Sequence, residues 1–516
     1  MTQMARSIRQ VLSDTASSRP DDIWLVTPET GLSFSWKETE QRAETIACYL
    51  QGAGLSKGAS VAVAAPNGAA ASFAFLGIVF GEFRATPLNL VAGAKTLSFV
   101  LSHSKTEMIL CADDSRALVD QAIAGLVETG KPAPRIISMD INDGPRWTET
   151  KITPVKPFEL QAPSANSVGL LMYTSGTTGV PKGVLLSHAN LIAAGANVVD
   201  AHKLTRADAG MCILPIYHIN GLCVTVMGTL VSSSSLVMPR RFSARHFWAQ
   251  MRSFNCSWFS AVPTLFAYLL NDDATPSLNM KRLRFARSAS APLSPEIHRQ
   301  FEERFAITII ETMGLTETGA QILSNPMPPE IRKIGSPGVA CGNEIMVGDA
   351  HQNPVPPNEE GEILVRGSNV MQGYLDQPEE TAKTITKDGW LRTGDLGRMD
   401  EDGFIFVSGR IKELIIKGGE NIAPREIDEA LLEHYAVLEA AAFPSACKDY
   451  GQRVEACVCL KNGHNVGENE LREFCKGLIG AYKTPDHIYF LDDLPKGPSG
   501  KVQRMKLIDL IQSEHS

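Results

Sequence analysis

Short apolar runs alternate with longer segments of helical composition over the first two hundred residues. The apolar runs predict buried strands at residues 60–65, 107–111, 168–172 and 185–188. Residues 70–81 and 190–199 predict helices between and after these strands. Strands that alternate with helices favour an α/β fold built of layered sheets and helices.

The character of the chain changes near Gly409 and Arg410. With 516 residues, the chain is expected to form more than one domain. Residues 409–516 combine short helices and short strands, which fits a small α+β domain. We therefore predict a large N-terminal domain at residues 1–408 and a small C-terminal domain at residues 409–516.

Composition narrows the class of protein. Hydrophobic residues make up 44% and charged residues 21%, as in ordinary globular proteins, and the net charge of -8 gives no reason to expect a nucleic-acid partner. Ten scattered cysteines without zinc spacing favour a reducing compartment. Residues 1–14 carry charge and lack the apolar core of a secretory signal. Residues 211–238, the least charged stretch, contain Pro215 and His218 and predict buried core, with no membrane span. We expect a cytoplasmic protein.

A loop rich in hydroxyl and glycine residues follows the strand at 168–172. Residues 173–183 read Tyr-Thr-Ser-Gly-Thr-Thr-Gly-Val-Pro-Lys-Gly. Backbone N–H groups, hydroxyl donors and the Lys182 cation suit a polyphosphate. The spacing Gly-x-x-Gly-x-x-Lys-Gly differs from the Walker A loop. Alone, such a stretch is more often a surface loop, and three further motifs change that interpretation.

The further motifs lie far apart in the sequence. Residues 311–317 place a threonine and a carboxylate beside a glycine turn, which suits a phosphate oxygen and Mg²⁺. Residues 389–395 end in Asp395, a carboxylate suited to two ribose hydroxyls, with Arg410 as a second contact. Residues 494–504 carry Lys501 in a glycine-rich segment near the C-terminus. Taken singly, these motifs are an ordinary helix start, a turn residue and a solvated basic tail.

In this order and spacing, the four motifs resemble the adenylate-forming superfamily of acyl-CoA synthetases, luciferases and adenylation domains. The resemblance covers essentially the whole chain and includes residues 409–422. It implies that a carboxylate attacks the α-phosphate of ATP to give an acyl-adenylate and pyrophosphate, and that a thiol then displaces AMP. It also implies a mobile C-terminal domain that turns about a hinge at Lys412 between the two steps, with ATP, Mg²⁺ and coenzyme A as cofactors and co-substrate.

The resemblance assigns roles to individual residues. The β- and γ-phosphates would be cradled by Thr174, Ser175, Gly176, Thr177, Thr178 and Lys182. Glu317 would ligate Mg²⁺, Thr316 would contact the α-phosphate, and Lys501 would bridge the carboxylate and α-phosphate oxygens. Asp395 and Arg410 would contact the ribose. Ser290, Ala291 and Met313 would contact the adenine. Gly418 and Gly419 would contact the pantetheine chain. Met313 stands where the family usually has an aromatic residue, so weaker adenine stacking is expected.

The acid is predicted from the segment around His218. Residues 214–221 align with the acyl-pocket gate of the family, where amino-acid-activating domains usually carry Asp at the position of His218. Histidine therefore favours a free acid and CoA over an amino acid and a carrier protein. Residues 241–248, 257–264, 284–290 and 324–328 look like the oxalyl-CoA synthetase-like branch. That branch closes its pocket with polar residues, and the candidates here are His218, Arg287, Ser290, Gly314 and Ala320.

Ala320 stands where the branch has a histidine, which argues against oxalate itself. A slightly larger acid with a second anionic group fits better, either a short dicarboxylate or a sulfonated acetate. Arg287 and Ser290 are the candidates to meet the second anion, because a buried anion needs a donor or a cation to offset its desolvation. The alternative for Arg287 is a structural ion pair.

Two other functions stay open. An aryl- or fatty-acid-CoA ligase would use the same chemistry on a larger acid. A catalytically silent nucleotide-binding protein is the alternative from another class, and the intact Lys182, Glu317, Asp395 and Lys501 speak against it. A homodimer stays open as well, and no nucleic-acid or membrane partner is expected.

Overall fold

The computed structural model describes residues 6–174, 181–272, 280–461, 463–497 and 502–514. The helices are α1 Ile8–Ser18, α2 Trp36–Gly52, α3 Ala69–Phe80, α4 Gly93–His103, α5 Arg116–Glu128, α6 His188–His202, α7 Met227–Ser232, α8 Ala244–Ser253, α9 Pro263–Asn271, α10 Pro295–Phe305, α11 Pro378–Thr384, α12 Pro424–Leu432, α13 Glu468–Lys483 and α14 Arg504–Glu514. A π-helix at Asn220–Val226 leads directly into α7.

The strands alternate with these helices in the first three quarters of the chain. They are β1 Ile23–Thr27, β2 Leu32–Ser35, β3 Ser60–Ala64, β4 Arg84–Pro87, β5 Thr106–Ala112, β6 Arg135–Asp140, β7 Gly144–Pro145, β8 Val168–Thr174, β9 Lys182–Ser187, β10 Ala209–Met211, β11 Ser235–Val237, β12 Trp258–Ala261, β13 Phe285–Ser288, β14 Ile309–Leu315, β15 Ala320–Ser324, β16 Val339–Ala340, β17 Glu344–Gly348, β18 Glu360–Arg366, β19 Gly373–Tyr374, β20 Leu391–Met399, β21 Ile405–Arg410, β22 Ile415–Lys417, β23 Glu420–Ile422, β24 Val437–Cys447, β25 Gly451–Leu460 and β26 His487–Phe490.

Three sheets form the large N-terminal part. One sheet has the order β19-β9-β8-β4-β3-β5-β6-β7, and a second has the order β16-β15-β14-β13-β12-β10-β11-β1-β2. Parallel pairs occupy the centre of both sheets, as βαβ connections require. A smaller antiparallel sheet has the order β17-β18-β20-β21. The predicted α/β fold is confirmed.

Several predicted elements differ at their ends. The predicted strand at 185–188 begins earlier, at Lys182, because β9 pairs with β8 along its whole length. The helix predicted at 190–199 is the longer α6, which begins after Ser187. The Ser187 hydroxyl accepts from the backbone N–H of Asn190, and the Asn190 side chain accepts from the N–H of Ser187, so both ends of this capping box are satisfied.

Residues 211–238 are buried core, as predicted. Leu222, Val224 and Met227 of this stretch have no exposed surface. Within the residues that the structure describes, no helix is both long and apolar enough to cross a membrane.

The C-terminal part has a sheet and core of its own. Strands β23-β22-β25-β24 form this sheet, and β26 adds to β25. Ile415, Ile427 and Val458 belong to a core cluster whose members all follow residue 414. The predicted boundary at 408/409 falls inside β21, which pairs with β20 through Arg410. Lys412 lies in the 3₁₀ turn Ile411–Glu413 that joins this strand to the first strand of the C-terminal sheet.

Candidate active site

The two ends of the predicted phosphate loop face each other across a hairpin. Thr174 ends β8, Lys182 begins β9, and the two residues are partners in the antiparallel register. The ladder between these strands therefore fixes where the loop leaves and rejoins the sheet. Ser175, Gly176, Thr177 and Thr178 lie outside the described residues.

The Lys182 ammonium is held by two groups. Its Nζ lies 2.7 Å from Oε2 of Glu380 and 5.0 Å from the ring centre of Tyr374. Glu380 also pairs with Lys383. Hydrogen bonds from Lys182 and then from Lys383 lower the pKa of the Glu380 carboxyl to about 2. Glu380 therefore keeps its negative charge beside Lys182 throughout the physiological range.

Glu317 lies in a short 3₁₀ turn, Thr316–Thr318, that follows β14. Its Oε1 accepts a hydrogen bond of 2.9 Å from the Tyr374 hydroxyl, and its backbone oxygen accepts one of 2.8 Å from the N–H of Met371. Burial and the nearby Glu317 carboxylate raise the pKa of Tyr374, so the phenol keeps its proton. Tyr374 thus links the candidate metal ligand to the candidate phosphate-binding lysine.

The Glu317 carboxylate fits a magnesium site completed by substrate. Across the described ranges, no group of three or more His, Cys, Asp or Glu side chains is arranged to hold a metal ion. Mg²⁺ is commonly bound by one or two carboxylates together with substrate phosphates and water. One protein carboxylate, linked through Tyr374 to the candidate phosphate-binding Lys182, is consistent with that mode.

The motif at residues 311–317 lies in a tight hairpin of β14 and β15. Gly314 pairs with Gln321, and Leu315 pairs with Ala320. A Cβ on Gly314 would lie 1.8 Å from the backbone oxygen of Ala320, so only glycine fits there. Ala320 itself has a φ of 113°, a backbone conformation that a side chain makes costly. Met313 is half-buried on β14, just before this close contact.

Glu311, the first residue of the 311–317 motif, contacts the buried His298. Nδ1 of His298 lies 2.9 Å from Oε1 of Glu311, and Nε2 lies 3.1 Å from Oε1 of Glu302. Burial alone would lower the pKa of His298, but the two carboxylates outweigh it and raise the pKa. Hydrogen bonds from His298, Arg332 and the backbone N–H of Ile309 lower the pKa of the Glu302 carboxyl to about 2 despite its burial.

Asp395 and Arg410, both predicted to contact the ribose, form an ion pair with each other. They are partners in the register of β20 and β21, and Nε of Arg410 lies 2.8 Å from Oδ1 of Asp395. Asp395 is buried, with 4% of its surface exposed, whereas Arg410 is partly exposed. A buried carboxylate fixed by a guanidinium is a suitable acceptor for ribose hydroxyls.

Arg287 is a buried cation on β13 whose hydrogen bonds go to neutral oxygens. Only 1% of its surface is exposed. Its Nε donates to Oε1 of Gln321 at 3.1 Å, and one terminal nitrogen donates to Oδ1 of Asn220 at 3.1 Å and to Oγ of Ser260 at 3.0 Å. Burial lowers the pKa of this guanidinium to about 9. Among the described residues no carboxylate forms an ion pair with it, so the ion-pair alternative finds no partner there.

Asn220 connects this cation to Ser290. The Asn220 amide nitrogen donates to Oγ of Ser290 at 3.1 Å, while its oxygen accepts from Arg287. Ser290 has a φ of 74°, which turns the chain sharply at the end of β13, and Ala291 follows it half-buried. His218 lies two residues before Asn220, half-buried, with its ring 4.8 Å from that of Tyr217.

Gly418 and Gly419 form the turn between β22 and β23. Their φ values are 56° and 89°, and Lys417 pairs with Glu420 across them. Two consecutive positive φ angles are what a two-residue hairpin turn requires. The backbone N–H of Gly418 donates to the oxygen of Tyr450, within the C-terminal sheet. Lys501 lies outside the described residues.

Four residues join the site that the sequence did not single out: Tyr374, Glu380, Asn220 and Gln321. Asn220 lies inside residues 214–221, the segment aligned with the acyl-pocket gate, so its position in the sequence could have identified it as a pocket residue. Tyr374 and Glu380 have no such signal, because neither belongs to a motif whose chemistry identifies it.

Comparison with known proteins identifies two matching family models. The AMP-binding enzyme model matches residues 12–375, and the model of the AMP-binding enzyme C-terminal domain matches residues 426–501. The chain is 44% identical over 506 residues to a sulfoacetate–CoA ligase from Cupriavidus necator, covering 98% of this chain and 97% of the relative. It is 34% identical to an oxalate–CoA ligase from Arabidopsis thaliana, covering 88% of both chains. The crystal structure of ATP-bound MatB from Rhodopseudomonas palustris superposes with a TM-score of 0.90 at 27% identity, covering 99% of this chain and 100% of that one.

Proposed function

This chain belongs to the AMP-binding enzyme family, and from that premise we propose that it joins sulfoacetate, a small acid with a second anionic group, to coenzyme A. It is an AMP-forming acid–CoA ligase that uses ATP and CoA and acts on small polar acids. The identity of the acid is the part that goes beyond this assignment.

The buried Arg287 guanidinium is the observation that carries the proposal. A charge removed from water is costly unless another charge or strong hydrogen bonds compensate for it. Arg287 has three hydrogen bonds to neutral oxygens and no carboxylate partner within the described ranges. Through Asn220 it reaches Ser290, a candidate pocket residue. A substrate with a second negative charge near Ser290 would supply the missing counter-charge.

Sulfoacetate fits this arrangement better than oxalate. A sulfonate has three acceptor oxygens and can receive hydrogen bonds from several donors, such as Ser290 and His218. Alanine at position 320 leaves more room than the histidine expected in the oxalyl-CoA branch. The relative that is 44% identical over nearly the full chain is named as a sulfoacetate–CoA ligase, which supports the same acid.

The remaining roles are those that the resemblance implies, and the contacts of Lys182 and Glu317 support them. Lys182, Thr174 and the loop hydroxyls bind the β- and γ-phosphates, and Glu317 holds Mg²⁺ together with phosphate oxygens and water. Mg²⁺ held by Glu317 would supply positive charge to neutralise the phosphates. Asp395 binds the ribose hydroxyls, supported by Arg410.

Two residue groups act at the reacting centre in this proposal. Thr316 and Lys501 donate to the oxygens where negative charge develops during adenylation. In the second half-reaction the CoA thiol reaches the acyl-adenylate past Gly418 and Gly419, where a missing Cβ leaves space for the pantetheine chain. Lys412 is the proposed hinge between the two half-reactions.

A CoA-dependent pyrophosphate-release screen tests the proposed acid. It compares sulfoacetate, oxalate, malonate, glycolate, acetate, benzoate, coumarate and octanoate with ATP and Mg²⁺. We expect sulfoacetate to give the highest kcat/KM, and acetate is its matched control because it lacks only the sulfonate. A preference for benzoate, coumarate or octanoate would reject the second-anion argument and favour the aryl or fatty-acid alternative. No turnover with any acid would favour the silent nucleotide-binding alternative.

Replacing Arg287 with methionine is expected to raise the KM for sulfoacetate about tenfold, a loss of about 1.4 kcal/mol in binding. The KM for ATP should stay unchanged, because Arg287 acts on the acyl side. Ser260 still donates to Asn220 at 2.9 Å, so the amide keeps one of its partners. Steady-state kinetics with each substrate varied in turn measures both effects.

Arg284→Met is the matched control for this variant. Arg284 lies one residue before β13 and pairs with Asp208 at 2.8 Å, away from Asn220. It should leave the KM for sulfoacetate unchanged, and Arg287→Lys should restore part of the affinity because it keeps the charge. Equal changes in the KM values for sulfoacetate and ATP would argue against a role for Arg287 in the acyl pocket.

Location and assembly are finer parts of the proposal. None of the ten cysteines, all of which lie within the described ranges, forms a disulfide, which supports a reducing compartment such as the cytoplasm. A homodimer is a further proposal that sedimentation analysis of the purified protein would decide. Fractionation of cells that express the full chain would test the location.

A further inference from the structure

Tyr374 contacts both Glu317 and Lys182, the candidate ligands of Mg²⁺ and phosphate. It ends β19, which pairs with β9 so that Tyr374 lies opposite Val184, two residues after Lys182. Only 8% of its surface is exposed. The strand that carries the candidate phosphate-binding lysine is therefore the strand against which Tyr374 is fixed.

The hydroxyl and the ring of Tyr374 contact groups of opposite charge. The hydroxyl donates to Oε1 of Glu317 at 2.9 Å, and the ring lies 5.0 Å from the ammonium of Lys182. Cation–π attraction favours the second contact, and a hydrogen bond to an ionised acceptor strengthens the first.

The backbone around Tyr374 is held as firmly as its side chain. Its N–H donates to Oγ1 of Thr381 at 2.9 Å, and its oxygen accepts from the N–H of Gln377 at 3.2 Å. Thr381 belongs to α11, so the helix that follows the strand locks the tyrosine in place. A side chain held in this way can fix the positions of the groups it contacts.

We infer that Tyr374 is a positioning residue that holds the metal-binding carboxylate of Glu317 in place and keeps it from pairing with the phosphate-binding ammonium of Lys182. The inference rests on the proposed function, in which Glu317 binds Mg²⁺ and Lys182 binds phosphate. It adds a residue outside the sequence motifs and a stated task for it.

The spacing task follows from the charges. A lysine and a glutamate that lie close together in a partly buried site attract each other strongly. If Lys182 and Glu317 paired in this way, the pair would compete with the binding of ATP and Mg²⁺. In this structure the carboxylate partner of Lys182 is Glu380, at 2.7 Å, while Glu317 receives the Tyr374 hydroxyl. Lys182 and Glu317 therefore each interact with another residue and not with one another.

The orienting task follows from general behaviour of metal ligands. A carboxylate that binds a metal is usually held by an outer hydrogen bond, and loss of that bond typically costs about 10- to 100-fold in metal affinity or activity. The Tyr374 hydroxyl donates to Oε1 of Glu317 and so restrains the orientation of the carboxylate.

Tyr374→Phe tests the orienting task, because it removes the hydroxyl and keeps the ring. We expect the Mg²⁺ concentration for half-maximal acid-dependent ATP–pyrophosphate exchange to rise about tenfold. At saturating Mg²⁺ the exchange rate should stay within about threefold of the wild-type rate, since the reacting groups are unchanged.

Tyr489→Phe is the matched control. Tyr489 also donates a hydrogen bond to a carboxylate, at 3.2 Å from Oε2 of Glu455, but it lies on β26 of the C-terminal sheet. It should leave the Mg²⁺ requirement unchanged. A merely structural role for Tyr374 would lower the melting temperature and the rate without moving the Mg²⁺ requirement, and that result would overturn the inference.

Glu317→Gln separates failure of the inference from failure of the proposed function. If this variant leaves the Mg²⁺ requirement unchanged, the proposed metal role of Glu317 is wrong. If it raises the requirement while Tyr374→Phe does not, the metal role stands and the inference about Tyr374 is overturned.

Two further variants complete the test. Tyr374→Leu also removes the ring, so the KM for ATP should rise about fivefold more than in Tyr374→Phe as Lys182 loses its cation–π contact; equal values in the two variants would overturn the lysine part. Thr381→Val keeps the tyrosine but removes the acceptor of its N–H, and should raise the Mg²⁺ requirement about threefold. If Tyr374→Phe does not fold, an unchanged Mg²⁺ requirement in Thr381→Val would overturn the inference.

Discussion

Replacing Lys501 with alanine is expected to lower the rate of acyl-adenylate formation by about 100- to 1,000-fold. The expectation rests on the sequence motif at residues 494–504 and on the proposed role of Lys501 as a point charge between the carboxylate and the α-phosphate. Negative charge grows on these oxygens in the transition state, and a cation placed there stabilises the transition state more than the ground state.

The second half-reaction should respond differently. Thioester formation from a supplied acyl-adenylate and CoA does not include the attack of the carboxylate on the α-phosphate. Its rate should therefore stay within about threefold of the wild-type rate. Pyrophosphate exchange measures the first half-reaction, and single-turnover formation of the CoA thioester measures the second.

Lys506→Ala is the control for this prediction. It removes the same kind of side chain five positions further along, where Lys506 is exposed on α14. Both half-reactions should proceed at wild-type rates in this variant. A Lys501→Ala variant that lost both half-reactions equally would show that Lys501 does not act specifically in adenylation.

The fold was predictable where local patterns and sheet pairing agree. Buried strands and helices alternate as the apolar runs predict, and the α/β assignment holds. The start of β9 was not predictable, because Lys182 and Gly183 are poor strand formers on their own. Their pairing with Thr174 and Tyr173 of β8 decides the strand, and that pairing is a tertiary property.

The candidate site was predictable only as far as motifs extend. The motif around Asp395 led to a contact with Arg410, which the register of β20 and β21 provides. The acid–CoA ligase assignment is confirmed by the family and its relatives. Tyr374 and Glu380 could not be found in the same way, because a single tyrosine or glutamate has no distinguishing spacing. Their importance comes from strand β19 packing beside β9, which joins residues nearly two hundred positions apart.

The structure also changes the interpretation of Arg287. Sequence reasoning left a choice between a direct contact with the substrate anion and a structural ion pair. In the structure the guanidinium hydrogen-bonds Asn220, and Asn220 hydrogen-bonds Ser290. An effect on the acid through Asn220 could not be anticipated, because it depends on the π-helix placing Asn220 within hydrogen-bond distance of Arg287 and Ser290.

Replacing Arg504 with methionine is expected to destabilise the C-terminal domain by about 3 kcal/mol. Arg504 begins α14 and donates two hydrogen bonds to the Asp428 carboxylate of α12. Its side chain is 19% exposed and that of Asp428 is 10% exposed. Removing one member of a buried ion pair leaves the other charge uncompensated, which typically costs about 3–5 kcal/mol.

The same variant should slow adenylation by about tenfold or more. Arg504 lies three residues after Lys501, and its contacts with Asp428 and with the backbone oxygen of Ala442 tie the start of α14 to the C-terminal core. A small displacement of a catalytic group lowers the rate steeply, because productive geometry is narrow. A loosened α14 therefore affects the reaction through the segment that carries Lys501.

The pH dependence of the variant provides a sharper test than its stability alone. Burial raises the pKa of the Asp428 carboxyl above its ordinary value of 3.8, and the Arg504 guanidinium opposes that rise. Without Arg504 the folded-state pKa rises further above the unfolded one. Such a group contributes stability that is fully present below the unfolded pKa and is lost as pH rises through the folded pKa. The difference between wild type and Arg504→Met should therefore widen as pH increases from about 4.

Hydrogen exchange at β24 measures this effect, because local opening of the C-terminal sheet sets the exchange rate of its amides. Arg472→Met is the control: the Arg472 guanidinium donates at 3.0 Å to the backbone oxygen of Pro485, and its loss should cost only about 1 kcal/mol. Adding Asp428→Asn to Arg504→Met should remove most of the pH dependence, since the buried carboxyl is then gone and Glu413, the other carboxylate beside Arg504, is 38% exposed. If the double variant kept the same pH dependence, the Asp428 carboxyl would not be its cause, and the proposed role of the Arg504–Asp428 pair would be wrong.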